Sequence, residues 1–110
     1  MHCVTDYPVQ KAHANLECVL KIKKDFNLVT GYSDHTLGTL APLIAVSKGA
    51  KIIEKHFTLN RKMKGPDHLA SLEMKEFSKM VKNIRELELM SGDGKKKLQQ
   101  CEIKNSKVAR

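Results

Sequence analysis

The chain has 110 residues, of which 41% are hydrophobic and 29% charged, and its formal net charge is +8. This length predicts one domain at most, and the composition is that of a globular protein rather than a disordered one. No apolar stretch approaches the roughly 18 residues of a membrane span, and the first residues contain no signal-peptide pattern. Neither a spanning helix nor a secretory leader is therefore predicted.

The first predicted elements are a strand end, a helix and a second strand. Residues 1–8 indicate the end of a strand that runs into a loop, because Pro8 stops regular strand pairing. A helix is predicted over 15–25, with Asn15 as its N-terminal cap and its apolar residues on one stripe. The apolar residues that open 28–33 predict the second strand.

A second helix and a third strand come next. The helix is predicted over 39–48, with Pro42 in its first turn and Gly49 as its terminator. Its residues are apolar nearly all round, so we expect it to be covered on several sides. Residues 51–57 begin with a short apolar run, which predicts a buried strand.

The last predicted elements are a long loop, a helix and a basic tail. Residues 59–70 form a loop of about twelve residues, a length that is uncommon and often functional. Ser71 is expected to cap a helix over 73–90, whose apolar residues recur at helical spacing. Residues 95–110 are polar and basic and predict a solvated end. The alternative is a basic tail that contacts nucleic acid or an acidic membrane, but it includes no aromatic residue to stack bases, which argues against specific single-strand binding.

Three cysteines bear on the compartment. Cys3, Cys18 and Cys101 are odd in number and widely spaced, and no C-x-x-C motif occurs. This pattern argues against a disulfide framework. Reduced thiols, and hence a cytoplasmic location, are predicted.

Strand and helix therefore alternate three times along the chain, which indicates an α/β protein. The alternation predicts parallel strands with right-handed crossovers, as in a (β/α) barrel or a small doubly wound sheet. In either architecture the chemistry lies at the carboxyl ends of the strands. His35, Glu54 and His56 all fall at such ends.

Side-chain alternation predicts which of these polar groups meet. Successive strand residues point to opposite faces, so Ser33 shares a face with His35, and Glu54 shares a face with His56. Neighbouring parallel strands lie about 4.8 Å apart. We therefore expect the two imidazoles to emerge together at one sheet edge, with Ser33 and Glu54 just below them.

Two imidazoles on adjacent strand ends can hold a divalent metal. A closed zinc site needs four protein ligands, or three plus water, and only His35 and His56 are obvious here. Two histidines with open positions better suit manganese or a similar ion completed by water and substrate. Asp34 and Glu54 are nearby carboxylates that add little to this argument. The alternative is a hydrogen-bonded histidine pair without metal.

Other polar residues have both functional and structural interpretations. Glu54 is the best candidate for acid–base chemistry, because a metal and its neighbours would tune it. Ser33 and Thr5 can donate to a phosphate, or serve as capping or loop hydroxyls. Tyr7 can hydrogen-bond a substrate or pack, and Asp67 is most simply a turn residue.

Four ordered motifs resemble the N-acetylneuraminate (sialic acid) synthase family, which includes legionaminic and pseudaminic acid synthases. They are HCVTDYP at 2–8, GYSDHTLG at 31–38, GAKIIEKHFT at 49–58 and GPDH at 65–68. None is specific alone, but their order and separations fit the family from residue 2 to about residue 94.

The resemblance implies a fold and a reaction. The family's catalytic domain is a TIM barrel that condenses phosphoenolpyruvate with N-acetylmannosamine or a related sugar and releases phosphate. A divalent metal, typically Mn²⁺ with Mg²⁺ or Co²⁺ as alternatives, polarises the sugar aldehyde. The alkene carbon attacks that aldehyde, water adds to the resulting cation, and the tetrahedral intermediate loses phosphate.

The resemblance also implies roles for single residues. The family's two metal-binding histidines match His35 and His56. The glutamate that manages protons near the metal matches Glu54, and a phosphoenolpyruvate-contacting serine matches Ser33. The family's sugar-holding residues match Tyr7 and Asp67. A phosphate contact is expected at Thr5, where relatives often carry Ser or Asn.

The resemblance covers only the last three βα units of an eight-unit barrel, which needs about 250 residues. We therefore expect a partial barrel domain over 1–94 and a tail over 95–110, as in a fragment or the product of a split gene. Exposed sheet edges invite pairing with other chains. The expected partners, besides the two substrates, are a homo-oligomer or a complementing barrel chain. The alternative function is a catalytically inactive fragment that needs such a partner.

Overall fold

The computed structural model of the chain describes residues 1–105 and 108. Within those residues strands and helices alternate as predicted: β1 is His2–Cys3, α1 Glu17–Phe26, β2 Gly31–Asp34, α2 Leu40–Ser47, β3 Ile52–Lys55 and α3 Met74–Ser91. Short 3-10 turns occupy Lys11–His13, His68–Ala70 and Gln100–Glu102. No helix in the described part of the chain has both the length and the apolar character to cross a membrane.

The strands form one parallel sheet in the order β1-β2-β3. Ser33 of the central strand lies in register with Cys3 on one side and Glu54 on the other. The parallel pairing confirms the prediction made from the alternation of elements. The sheet is not closed, because β1 and β3 are its edges among the described residues.

The hydrophobic core lies on the helix-covered face of the sheet. Tyr32 of β2 packs there with residues of α1, α2 and the turn before β3, namely Val19, Ala41, Ala45 and Ala50. Leu16 and Ile53 pack against the same cluster. The opposite, open face carries the alternate strand residues, and Ile52 is 50% exposed there.

Gly31 allows β2 and β3 to approach closely. A Cβ atom built on Gly31 would lie 2.8 Å from the Ile52 carbonyl oxygen and 2.9 Å from the Ile52 Cβ. No side chain fits in that space without a backbone shift. The glycine therefore helps to set the spacing of the strands that carry the polar residues.

Two predicted strand boundaries are wrong. β2 begins at Gly31 rather than at residue 28, because Leu28 and Val29 lie in the preceding loop and are 69% and 72% exposed. β3 ends at Lys55 rather than at residue 57. Beyond it the backbone pairs with Leu72, whose N–H donates to the His56 carbonyl at 2.9 Å.

Both predicted helix caps are also wrong. Asn15 adopts a φ of 43°, and its backbone carbonyl, rather than its side chain, accepts a hydrogen bond from the Cys18 N–H. α1 begins after Leu16 without a side-chain cap. Ser71 instead donates its hydroxyl to the Asp67 carbonyl at 2.7 Å, and Glu73 caps α3 in a capping box.

Candidate functional site

His35 and His56 directly follow the last residues of β2 and β3 and therefore leave the sheet at the same edge. Their ring centroids lie 5.4 Å apart, with the ring planes inclined by 66°. The prediction that the two imidazoles meet at one edge is confirmed. Parallel pairing produces this proximity, because each histidine lies one position beyond the register partners Asp34 and Lys55.

Tyr7 adds a third ring to the pair. Its centroid lies 4.1 Å from that of His35 and 5.5 Å from that of His56, and the residue is 42% exposed. Tyr7 precedes a cis peptide bond to Pro8. The loop that carries it is fastened to β2, because the Val9 N–H donates to the His35 carbonyl at 2.9 Å.

The hydrogen bonding of His35 orients its ring. Nδ1 lies 2.8 Å from the Val4 carbonyl oxygen, which can only accept, so Nδ1 carries the proton in the neutral ring. The Cys3 Sγ lies 3.9 Å from the same nitrogen. The lone pair of the neutral ring is therefore on Nε2. The His56 imidazole has no hydrogen-bond partner among the described residues, and its ring lies against those of Tyr7 and His35.

Ser33 and Glu54 meet below the histidines, as predicted. The Ser33 hydroxyl donates to Glu54 Oε1 at 2.6 Å across the strand pair. Ser33 is buried and Glu54 exposed. One oxygen of the carboxylate is therefore engaged by a buried donor while the side chain remains accessible from solvent.

Asp34 does not belong to this cluster, contrary to its grouping with the nearby carboxylates. It lies on the helix-covered face, where Oδ2 accepts a hydrogen bond from Lys55 Nζ at 2.8 Å and both side chains are fully buried. Oδ1 accepts from the Tyr32 hydroxyl at 3.0 Å. Burial, and then the Asp34 carboxylate, raise the pKa of the Tyr32 phenol. The sequence contained a signal for this ion pair, because the alternation of strand side chains places the opposite charges of Asp34 and Lys55 at facing positions.

Thr5 and Asp67 are not drawn into hydrogen bonds with the cluster. Thr5 is exposed, and in the described part of the chain its side chain has no hydrogen-bond partner. Asp67 is partly buried and uses its backbone carbonyl to accept from Ser71. Their substrate contacts therefore stay predictions.

The loop after β3 is tied to α3 by Arg61, a residue that the sequence reasoning missed. Its Nε donates to the Ser71 carbonyl at 3.0 Å, and its guanidinium pairs with the Glu76 carboxylate. The hydrogen bond from Arg61 lowers the pKa of Glu76. His68 lies 2.8 Å from the Thr58 hydroxyl and holds the other side of the loop. No short-range sequence pattern marks these contacts.

In the described part of the chain, the evident ligands for a cation are the imidazoles of His35 and His56. Within residues 1–105 and 108, no group of three or more His, Cys, Asp and Glu side chains could hold a metal ion. The neutral His35 ring presents its lone pair at Nε2 and is braced at Nδ1 by a carbonyl, the arrangement typical of metal-binding histidines. The pair therefore fits a cation whose remaining positions are filled by water or substrate.

Comparison with known proteins gives a consistent result. Residues 1–96 match the NeuB family. The chain is 46% identical over 110 residues to the N,N'-diacetyllegionaminic acid synthase of Campylobacter jejuni, covering all of this chain and 33% of that enzyme. It is 45% identical over 97 residues to the enzyme of the same name from Legionella pneumophila, covering 88% of this chain and 27% of that enzyme. The chain thus spans a third or less of the length of these curated relatives.

A solved structure supports the same relationship. The crystal structure of N-acetylneuraminic acid (sialic acid) synthetase from Leptospira borgpetersenii superposes with a TM-score of 0.85 at 39% identity. The match covers 94% of this chain and 36% of that one. It confirms the predicted fold class: three parallel strands and their helices form an α/β unit that matches part of a TIM barrel.

Proposed function

The chain belongs to the NeuB family, and from that premise we propose that it acts in a sialic-acid-type synthase. The proposed reaction condenses phosphoenolpyruvate with N-acetylmannosamine or a related N-acetylated amino sugar, and it releases phosphate. The observation that carries the proposal is the pair of imidazoles, 5.4 Å apart, above the Ser33–Glu54 hydrogen bond. Relatives named as synthases of legionaminic and sialic acids support it.

His35 and His56 would hold the divalent cation, Mn²⁺ by preference and Mg²⁺ or Co²⁺ as alternatives. When bound, the cation would supply Lewis-acid polarisation of the sugar's aldehyde oxygen. The residues fit this role because the Val4 carbonyl fixes the His35 tautomer and leaves Nε2 as the donor atom. The Tyr7 ring, tilted against that of His35, would restrict the directions from which the sugar approaches.

Ser33 and Glu54 would act in sequence on phosphate and water. A hydroxyl has one proton to donate, and that of Ser33 is donated to Glu54. When Ser33 donates instead to the phosphate of phosphoenolpyruvate, the Glu54 carboxylate is released. It can then accept a proton from the water that adds to the substrate-derived cation. Binding of the phosphate thus prepares the base.

The remaining residues would hold the substrates. The Tyr7 hydroxyl and the Asp67 carboxylate would hydrogen-bond the sugar, and the Thr5 hydroxyl would donate to phosphate. Tyr7 and Thr5 are both exposed, so their polar groups can be reached by a substrate. Asp67 lies in the loop that Arg61 fixes to α3, which would limit how far its carboxylate moves.

Phosphate release tests the proposal. The chain is incubated with phosphoenolpyruvate, N-acetylmannosamine and Mn²⁺, and the nonulosonic acid is identified by mass spectrometry. We expect release that requires both substrates, and a fall of about 10²- to 10⁴-fold in Glu54→Gln. Glu86→Gln, on the exposed side of α3, is the matched control and should be unchanged. Phosphate release that does not depend on the sugar, or equal rates in the two variants, would contradict the proposal.

A second candidate function is favoured by the open face of the sheet. Ile52 and Met1 are 50% and 58% exposed, and among the described residues the outer edges of β1 and β3 have unpaired backbone groups. Under this hypothesis the chain is inactive alone and requires a second copy or a complementing barrel chain. Light scattering across concentrations should then show association, whereas a monomer with a cooperative thermal transition would exclude it.

A cytoplasmic location is proposed with the function. Cys3, Cys18 and Cys101 are free thiols, which suits a reducing compartment. Thiol titration of chain purified from cells should find three reactive groups after denaturation, whereas fewer would contradict the location.

A further inference from the structure

An ion pair on the helix-covered face lies directly behind the histidines. Asp34 and Lys55 are partners in the register of β2 and β3, and each immediately precedes a site histidine. Their charged groups lie 2.8 Å apart and both side chains are fully buried. The pair therefore links the two strands at the last paired position before the imidazoles.

The same pair also holds the backbone that continues from His35. The Thr36 N–H donates to Asp34 Oδ1 at 2.8 Å, and the Thr36 carbonyl accepts from Lys55 Nζ. The Tyr32 hydroxyl supplies a third donor to the carboxylate. Both backbone polar groups of Thr36 are thus fixed by these two side chains, so His35 lies between two restrained residues.

Burial of this pair is better explained by register than by stability. Replacing a buried ion pair with apolar side chains of similar volume is often neutral or stabilising, so stability alone does not require the charges. Register does matter, because a shift of one residue moves every side chain to the other face of the sheet. A shift of β3 against β2 would separate the imidazoles. It would also leave the charges of Asp34 and Lys55 without their partners.

We propose that Asp34 and Lys55 are positioning residues that fix the register of β2 and β3, and thereby hold the His35 and His56 imidazoles together. The positioning claim stands on the geometry of the chain itself. Only its consequence for metal binding rests on the proposed function.

The test compares three chains of 110 residues. Asp34→Val/Lys55→Met removes both charges together, so that no buried charge is left unpaired. Lys21→Met/Asp25→Ala removes an exposed ion pair of α1 and is the matched control. The first readout, without metal, is the nuclear Overhauser contact between the ring protons of His35 and His56. The second is Mn²⁺ affinity by calorimetric titration.

The wild type and the control should show the ring contact, and the double variant should lose it while keeping its helical circular dichroism. Mn²⁺ affinity should fall by about 10- to 100-fold in the double variant only, the range for loss of an outer partner of a metal site. A double variant that keeps the ring contact, or a wild type that lacks it, overturns the proposal. If the double variant loses the ring contact but the wild type binds no Mn²⁺, the positioning role stands and only the role in metal binding is refuted.

Two further measurements decide the matter if the double variant does not fold. Asp34→Asn keeps the shape and weakens the hold on Lys55, so the ring contact should weaken, and an unchanged contact overturns the proposal. In the wild type, the Thr36 amide lies beyond the end of β2 but should exchange slowly with solvent because Asp34 holds it. Exchange as fast as that of exposed Leu37 overturns the proposal.

Discussion

The two faces of the sheet carry opposite chemistry on adjacent residues. On the helix-covered face, Asp34 and Lys55 are fully buried, and no buried side-chain polar atom of the described residues lacks a partner. On the open face, Glu54 is exposed and the His56 ring has no hydrogen-bond partner among those residues. Alternation thus separates groups that hold the strands together from groups that a substrate can reach. The first set should govern stability and geometry, the second reactivity.

The largest expected effect is on the buried face. Lys55→Met leaves the Asp34 carboxylate buried without its counter-charge, which should lower the free energy of unfolding by about 3–5 kcal/mol. Denaturant titration measures the change, with Lys21→Met, from an exposed pair, as the control that should lose far less stability. Similar losses in both variants would show that the buried pair has no special role.

A smaller effect is expected where the strands touch. Gly31→Ala places a Cβ against the Ile52 carbonyl, and overpacking of this kind typically costs about 1–3 kcal/mol. Denaturant titration should show that loss, and the His35–His56 ring contact should weaken with it. A variant as stable as the wild type would mean that the strand spacing is looser than the contact distances indicate.

Acidification should weaken the Arg61–Glu76 ion pair, which joins the loop after β3 to α3. Arg61 holds the pKa of Glu76 below its ordinary value, so the pair stabilises the fold above the unfolded-state pKa, about 4.3, and loses that contribution as pH falls through the folded-state value. The stability difference between wild type and Arg61→Gln should therefore be below about 1 kcal/mol at pH 7 and shrink toward pH 3. Lys82→Gln serves as control, and a difference independent of pH would refute the tie.

The smallest stability effect is expected on the open face. Glu54→Gln keeps a carbonyl oxygen that the Ser33 hydroxyl can donate to, and the residue is exposed, so unfolding should change by no more than about 0.5 kcal/mol. Thermal unfolding of this variant beside Lys55→Met contrasts the faces directly. A loss comparable to that of Lys55→Met would erase the distinction between them.

Periodicity in the sequence predicted the main features of the fold and of the site. Parallel strands, helices within one or two residues of their ends, and the meeting of His35 with His56 all derive from local alternation and the order of elements. The placement of Ser33 and Glu54 below the histidines derives from the same reasoning, whereas the hydrogen bond between them was not predicted. These features are local in origin, or fixed once the strands are parallel, and so a single sequence contains enough information for them.

The failures share a dependence on three-dimensional context. Asn15 is a residue type that commonly caps helices, but it precedes α1 with a positive φ, which the residue type does not reveal. Leu28 is apolar, yet it is 69% exposed and lies in the loop before β2. The Arg61–Glu76 contact joins residues far apart in sequence. Such pairings depend on how the loop packs, and no sequence period encodes them.

Manganese titration of the two histidine variants decides whether the paired imidazoles bind a cation. His35→Ala and His56→Ala are compared with the wild type and with His13→Ala, whose imidazole is exposed in the 3-10 turn Lys11–His13. We expect wild type and His13→Ala to bind Mn²⁺ with the same affinity, and each site variant to bind more than about 100-fold more weakly, beyond the usual cost of losing an outer partner. Four superimposable titrations would contradict the claim that the paired imidazoles form a cation site.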